Sequence, residues 1–309
     1  MNQFFTVAQV VMPIFVAIFL GILAKKKALI SAEGVAGMQQ FVMQFGLPCV
    51  VFNSCYSADI GAESLTSMGL VLPCVLAATF WSYHARKKQF PYHNFPQLFA
   101  AQETGMLGIP LFMILFGAEQ AYRVGILDLT QAVAAFPTIA LLSANTGENP
   151  TPMQIAKKVA TSPLLIMAVL GLTLNLTGVA RWLDAVGIGG IITQSTSFLT
   201  QPVSAMMIFS VGYNFSLSSG NRSVIFKIAT IHFVIYAVSG VLIQLGLSLI
   251  PNVDPLTRWA TLLYCTLPAS YLAPTLGRTE EDRAMASGVC SILTVVSLAI
   301  FCIMAAVVA

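Results

Sequence analysis

The sequence predicts an all-α polytopic membrane protein: ten transmembrane helices arranged as two inverted five-helix repeats, with helices 4 and 9 broken and crossing. Three observations predict it. The chain of 309 residues is 57% hydrophobic and only 9% charged, too little polar surface to cover a water-soluble domain. Its apolar runs form ten stretches of spanning length joined by short loops. Its prolines and glycines recur in the same order in the two halves of the chain.

The ten stretches, numbered here as spans 1 to 10, lie near residues 7–25, 35–56, 66–83, 97–117, 122–143, 159–177, 193–215, 224–250, 257–276 and 284–308. Only "MNQFF" precedes the first run, and its charges (Lys25, Lys26, Lys27) follow it, the reverse of a secretory signal, so span 1 reads as a retained helix. Loops after the odd-numbered spans carry Lys25, Lys26, Lys27, Arg86, Lys87, Lys88, Lys157, Lys158, Arg222, Lys227, Arg278 and Arg283, leaving only Arg123, Arg181 and Arg258 elsewhere. The positive-inside rule then places both termini on the non-cytoplasmic side of the cytoplasmic membrane. The net charge of +3 gives no support for nucleic acid as a partner. The six cysteines all fall within spans, at spacings that suit neither disulfides nor a metal, and read as packing residues. No cofactor is implied.

The repeat is carried by four landmarks. Pro13 and Gly21 of span 1 match Pro163 and Gly171 of span 6, 150 residues on, and Pro48 of span 2 matches Pro202 of span 7. Pro110 of span 4 matches Pro268 of span 9, and Glu119, Ala121 and Gly125 match Asp282, Ala284 and Gly288 at the start of spans 5 and 10. The halves are 1–145 and 159–309, joined by a cytoplasmic linker at 146–158. Five spans is an odd number, so the second copy enters the membrane from the opposite side. Inverted repeats are an architecture of secondary transporters, in which two conformations open to either side.

A proline within a span frees a carbonyl, and a loose backbone group survives at membrane depth only inside protein or facing water. Span 4 gathers Gly105, Gly108 and Pro110, with Gln102, Glu103 and Thr104 directly against them; span 9 has Pro268, Pro274 and Gly277. Both read as unwound segments that cross near the midplane, offering helix N-termini to an anion and free carbonyls to a cation. Pro13 and Pro163 have no polar company and read as packing kinks.

"FGLPCVVFN" on span 2, "TGMLGIPL" on span 4, "PVSAMMIFSVG" on span 7 and "LPASYLAPTLG" leading to "MASGVCSILTVVSL" on spans 9 and 10 together make the chain resemble the auxin efflux carrier family, whose bacterial members include malonate and malate permeases. The resemblance covers nearly the whole chain, and the span 4 motif is its most specific part. It implies a fold similar to bile acid sodium symporters and sodium/proton antiporters. Spans 3–5 and 8–10 would form a mobile transport domain, and spans 1, 2, 6 and 7 a scaffold able to form a homodimer. The implied activity is elevator-type alternating access for a small organic anion, a mono- or dicarboxylate. The family usually has asparagine where this chain has Glu103.

Ionisable groups within spans mark functional positions by default. Glu103 lies at the span 4 break; Asp128 and Gln131 share one face of span 5. A carboxylate withdrawn from water can exchange a proton near neutral pH, and Glu103 could equally hold sodium together with free carbonyls. Asp128 could instead pair with Arg123. Ser291 and Thr294 on span 10 are the repeat counterparts of Asp128 and Gln131, 163 residues on. The candidate cargo site is thus Asn53, Glu103, Thr104, Gly105, Gly108, Pro110, Thr266, Pro268, Ser270, Tyr271, Ser291 and Thr294, with Glu103, Asp128 and Gln131 for the coupling ion. His232 reads as a bonded structural imidazole. No G-x-S-x-G or H-E-x-x-H motif points to an intramembrane enzyme, and a channel has no need of two inverted, broken spans.

Overall fold

The computed structural model describes residues 2–57, 62–143, 157, 161–215 and 221–308. The predicted linker at 146–158 lies outside them apart from Lys157. Among the described residues the chain is almost wholly helical and contains no strand. Among these described residues four helical stretches are long and apolar enough to cross a membrane: Ala32–Ser57, Ser64–Lys88, Arg222–Ser248 and Glu280–Val308. A fifth is formed if the pair Pro163–Leu176 and Val179–Ala185, bent by 77°, is one span. Phe80, Phe198, Leu245 and Ile303 stand exposed on helix exteriors, as hydrocarbon rather than water requires.

The first half runs α1 (Asn2–Lys26), α2 (Ala32–Phe41), α3 (Leu47–Ser57), α4 (Ala62–Lys88), α5 (Gln97–Ala100), α6 (Ile109–Phe116) and α7 (Tyr122–Ser143). Ser31 starts α2 by accepting the Gly34 N–H. A π-turn, Val42–Gly46, links α2 to α3, widening the helix where Pro48 removes a donor. The second half runs α8 (Pro163–Leu176), α9 (Val179–Ala185), α10 (Ile188–Thr200), α11 (Val203–Asn214), α12 (Arg222–Ser248), α13 (Pro255–Thr266) and α14 (Glu280–Val308). Gly178 (φ 77°) and Gly187 (φ 80°) turn the chain on either side of α9, which the apolar pattern did not predict.

Two corrections concern the breaks. Span 4 is interrupted at residues 101–103, a turn before the predicted glycines and proline, and resumes as a π-turn (Thr104–Gly108) running into α6. Pro110 follows the π-turn inside the continuous helix Thr104–Phe116, which widens ahead of it as the other π-turn does ahead of Pro48, so the proline lies within a helix rather than breaking one. Span 9 ends as an α-helix at Thr266; beyond it the chain makes turns and one short 3-10 segment, Pro274–Leu276, so its second part is no α-helix.

The interruptions meet. Gln102 and Ala269 form an antiparallel bridge, in which the Glu103 N–H donates to the Pro268 carbonyl at 2.8 Å and the Ser270 N–H to the Ala101 carbonyl at 3.0 Å. Gly108 stands against Leu267, where an added Cβ would lie 2.6 Å from a Leu267 methyl.

Elsewhere backbones touch directly. A Cβ on Gly21 of α1 would lie 2.1 Å from the Phe209 carbonyl of α11, and one on Gly212 would lie 2.1 Å from the Ile18 carbonyl. Gly171 of α8 sits in the same way against the Phe52 carbonyl of α3, at 2.7 Å. Small residues are what allow such close crossing where no hydrophobic driving force acts between helices. At one end of the bundle buried Arg123, opening α7, forms an ion pair with Asp254 and donates to Thr257, joining it to the start of α13. At the other, Asp282 at the start of α14 accepts the His93 N–H at 3.0 Å, while the Asn94 amide donates to the Asp282 carbonyl at 3.1 Å.

Candidate functional site

A cavity of about 650 Å³ opens beside the paired interruptions. Residues 101–106 and 270–272 form one wall; α7 contributes Asp128 and Gln131, α14 Ser291 and Thr294, and the π-turn after α2 Met43. Gln39, Asn214 and Thr275, also on its wall, belong to the helix portions nearest the loops rich in lysine and arginine.

Glu103 precedes the helix Thr104–Phe116 as its N-cap and is 8% exposed. One carboxylate oxygen accepts the Met106 N–H at 3.2 Å and the other the Tyr271 N–H at 2.6 Å, so a single side chain ties together donors from both interrupted segments. The position at a helix start also suits its negative charge. Asp128 accepts from the Thr104 hydroxyl and, at 2.9 Å, from the Gln131 amide. It does not pair with Arg123, which is held by Asp254, Thr257 and Gln120. Gln131 donates to the Gln102 carbonyl and accepts the Gln102 N–H, and also accepts the Tyr264 hydroxyl at 3.0 Å. Tyr271 and Thr294 share a hydroxyl–hydroxyl bond of 2.7 Å.

Of the residues predicted from sequence, Glu103, Thr104, Gly105, Asp128, Gln131, Ser270, Tyr271, Ser291 and Thr294 are gathered on this one cavity. Asn53 is elsewhere: its amide donates to Ser197 and accepts from Thr196 on α10, a helix-to-helix contact. Thr266 faces a separate, mostly apolar cleft and bonds back to the Leu263 carbonyl. Gly108 and Pro110 are buried behind the wall, and Pro268 contributes only its carbonyl to the bridge. His232 is buried between Phe99 and Tyr236, as a structural imidazole should be.

The sequence reading missed Gln97, Gln39 and Gln40, which also line the cavity. A glutamine inside an otherwise apolar run was the available signal, most plainly at Gln97 in "FPQLFAAQETG".

The charged residues among those lining the cavity are Glu103 and Asp128; no lysine, arginine or histidine is among them. The wall is therefore acidic, with its hydroxyls and amides supplying the remaining polarity.

The membrane transport protein family matches residues 6–145, the part that contains α1 to α7 and the first interruption. A protein described as an uncharacterized transporter, from Methanothermobacter thermautotrophicus, is 23% identical over 301 residues, spanning 94% of each chain. With its apolar helices and their exposed hydrophobic exteriors, the chain is an integral membrane protein, similar to the membrane transport protein family through its first half and to an uncharacterized transporter along nearly its whole length.

Proposed function

We propose that the protein is a secondary active transporter that moves a small organic acid, a mono- or dicarboxylate, by elevator-type alternating access. Ten spans in two inverted five-helix repeats would carry it, with spans 3–5 and 8–10 moving against spans 1, 2, 6 and 7. The observation that carries this reading is the joined pair of interruptions at 101–103 and 267–270 beside a cavity of about 650 Å³. Irregular backbone at membrane depth is tolerated where it lines such a space. Equivalent contacts in the two halves support the repeat: Gly21 crosses α11 as Gly171 crosses α3. The start of α7 is tied to the start of α13 much as the start of α14 is tied to the segment before α5.

The cavity is lined by the ends of helices nearest the basic loops, so by the positive-inside rule it faces the cytoplasm, with both termini on the other side of the cytoplasmic membrane. The acidic wall requires that an acid's charge be offset, by a proton or by sodium held at Glu103 and Asp128 among oxygen donors. The scaffold helices could also pair two copies.

Purified protein in proteoliposomes tests the reading. Saturable uptake of a carboxylic acid that responds to a pH or sodium gradient is expected. Non-saturable flux would instead mark a channel, and absence of uptake for every acid tried would remove the cargo assignment.

A further inference from the structure

Gln97 is fully buried in α5 and lines the cavity, yet neither its amide nitrogen nor its amide oxygen has a hydrogen-bond partner among the described residues. Buried side-chain amides are ordinarily satisfied, because leaving a donor and an acceptor without partners is costly. On the same wall the neighbouring polar groups are engaged: Gln131 with Gln102, Tyr264, Thr104 and Asp128, Tyr271 with Thr294, and Glu103 with two N–H groups. Gln39 also leaves its amide nitrogen unpartnered, but among the residues lining the cavity Gln97 is the amide, packed into the wall, with both of its functions unpartnered among the described residues.

The charges around it decide what it can receive. The titratable groups on the cavity wall are Glu103 beside the interruption, Asp128 on α7, Tyr271, and Cys290 on α14. None is a cation. The N–H groups of Met106 and Tyr271, which a carboxylate cargo would need, already donate to Glu103. An ionised carboxylate would meet two acidic side chains, with the Met106 and Tyr271 N–H groups already taken. An organic cation suits the carboxylates but offers no acceptor to the Gln97 nitrogen. A neutral planar group that carries a donor and an acceptor side by side satisfies both atoms at once and adds no charge.

We propose that Gln97 is a cargo-binding residue, pairing edge to edge with a neutral donor–acceptor group, an undissociated carboxyl or a primary carboxamide. This deepens the transporter reading and rests on it. If the cargo is an acid, the offsetting proton travels on the cargo itself.

The test is binding to the purified full-length protein in detergent, using phenylacetic acid, phenylacetamide and phenethylamine as matched probes. Phenylacetic acid should bind about tenfold more weakly for each pH unit above its own pKa, because only the undissociated form is taken. Phenylacetamide should keep one affinity across the same range, which also controls for titration of Glu103 and Asp128. Gln97→Leu should weaken both by tenfold or more while its thermal midpoint without probe equals or exceeds that of the wild type, since an unsatisfied amide has been removed. Gln97→Met provides a second, unbranched variant should the leucine fail to fold.

Acid affinity that does not fall with pH, binding of phenethylamine alone, or binding of neither acid nor amide by the wild type overturns the proposal. So does full affinity in the Gln97 variants, which would mean that the amide meets water only. Proteoliposome uptake of the probes separates the two levels: wild-type uptake with no effect of Gln97 substitution leaves the transporter reading standing and removes this one.

Discussion

The side-chain amide of Gln131 closes on both main-chain groups of Gln102, donating to its carbonyl at 3.0 Å and accepting its N–H at 2.7 Å. Gln102 is thereby flanked on one side by the Ala269 segment and on the other by a side chain acting as a third strand. This is how an extended residue persists among helices without loose polar groups.

Gln131→Leu leaves the Gln102 N–H and the Tyr264 hydroxyl without their acceptor, while the Gln102 carbonyl keeps the Thr104 N–H. At about 1–3 kcal/mol for each buried group left unsatisfied, the variant should lose several degrees of thermal stability in detergent, read by the unfolding midpoint. Gln131→Glu, which keeps the acceptor but not the donor, should fall between the two.

Glu103→Ala releases the Met106 and Tyr271 N–H groups that its carboxylate now occupies. Those donors, one in the first turn of a helix and one in the facing turn, should then bind an ionised cargo. The expected outcome is that phenylacetate binding to the variant no longer weakens as pH rises, while gradient-driven uptake in proteoliposomes is lost. Retained coupling in Glu103→Ala would remove that carboxylate from the transport cycle.

Gly21→Val should be among the most damaging substitutions outside the cavity. Its Cβ would lie 2.1 Å from a backbone carbonyl of α11, which no rotamer change can relieve. Overpacking typically costs about 1–3 kcal/mol, and contact with main chain rather than a side chain puts this case at the upper end. The yield of monodisperse protein in size-exclusion chromatography measures it.

Arg123→Ala takes the counter-charge from Asp254, whose carboxylate still accepts the Leu256 N–H, and Asp254→Ala takes it from a guanidinium that is 8% exposed. Breaking a fully buried pair costs about 3–5 kcal/mol; with Asp254 about a third exposed, a loss of about 2 kcal/mol is the expectation. Because the stranded arginine is the more buried charge, Asp254→Ala should be the worse of the two. Thermal midpoints of both variants, compared with the double substitution, check the order.

His93 lies outside the spans, in the segment before α5. Its Nε2 donates to the Leu142 carbonyl at 2.8 Å, leaving Nδ1 to accept from Arg86 at 3.2 Å. Burial, helped by the charges of Arg278 and Arg86, holds its pKa below the ordinary 6.5, against the opposing pull of the Leu142 bond and Asp282. A depressed folded-state pKa means that its contribution is complete above pH 6.5 and declines as pH falls below it, because the unfolded chain binds the proton more readily. The unfolding midpoint should therefore drop between pH 7 and pH 5, and drop less in His93→Gln. Equal slopes in the two proteins would count against the assignment.

Helices with long uninterrupted apolar runs were legible in the sequence to within a few residues: span 5 was expected at 122–143 and α7 is Tyr122–Ser143. What misled the reading at span 4 was treating Pro110 as a breaker, when a π-turn carries the helix Thr104–Phe116 through it. The true interruption carries no proline or glycine; Ala101, Gln102 and Glu103 are held extended by a bridge to a segment 167 residues away and by Gln131. No local pattern encodes that. The carboxylates and hydroxyls of the cavity were legible because polar residues stand out in spans. Asn53 stood out for the same reason, but its amide is used between helices. Gln97 went unnoticed because one amide among aromatic neighbours resembles tolerated packing until its lack of partners is seen.

The bridge between Gln102 and Ala269, with Glu103 reaching across to Tyr271, leaves the two halves of the chain no slack at this point. They are stitched into one plate, and any displacement that carries the cavity floor must carry both segments by the same amount. Spin labels at Ala101 and Ser270 should keep one distance in every conformation, whereas a label at either and one on α11 should report whatever travel the plate makes.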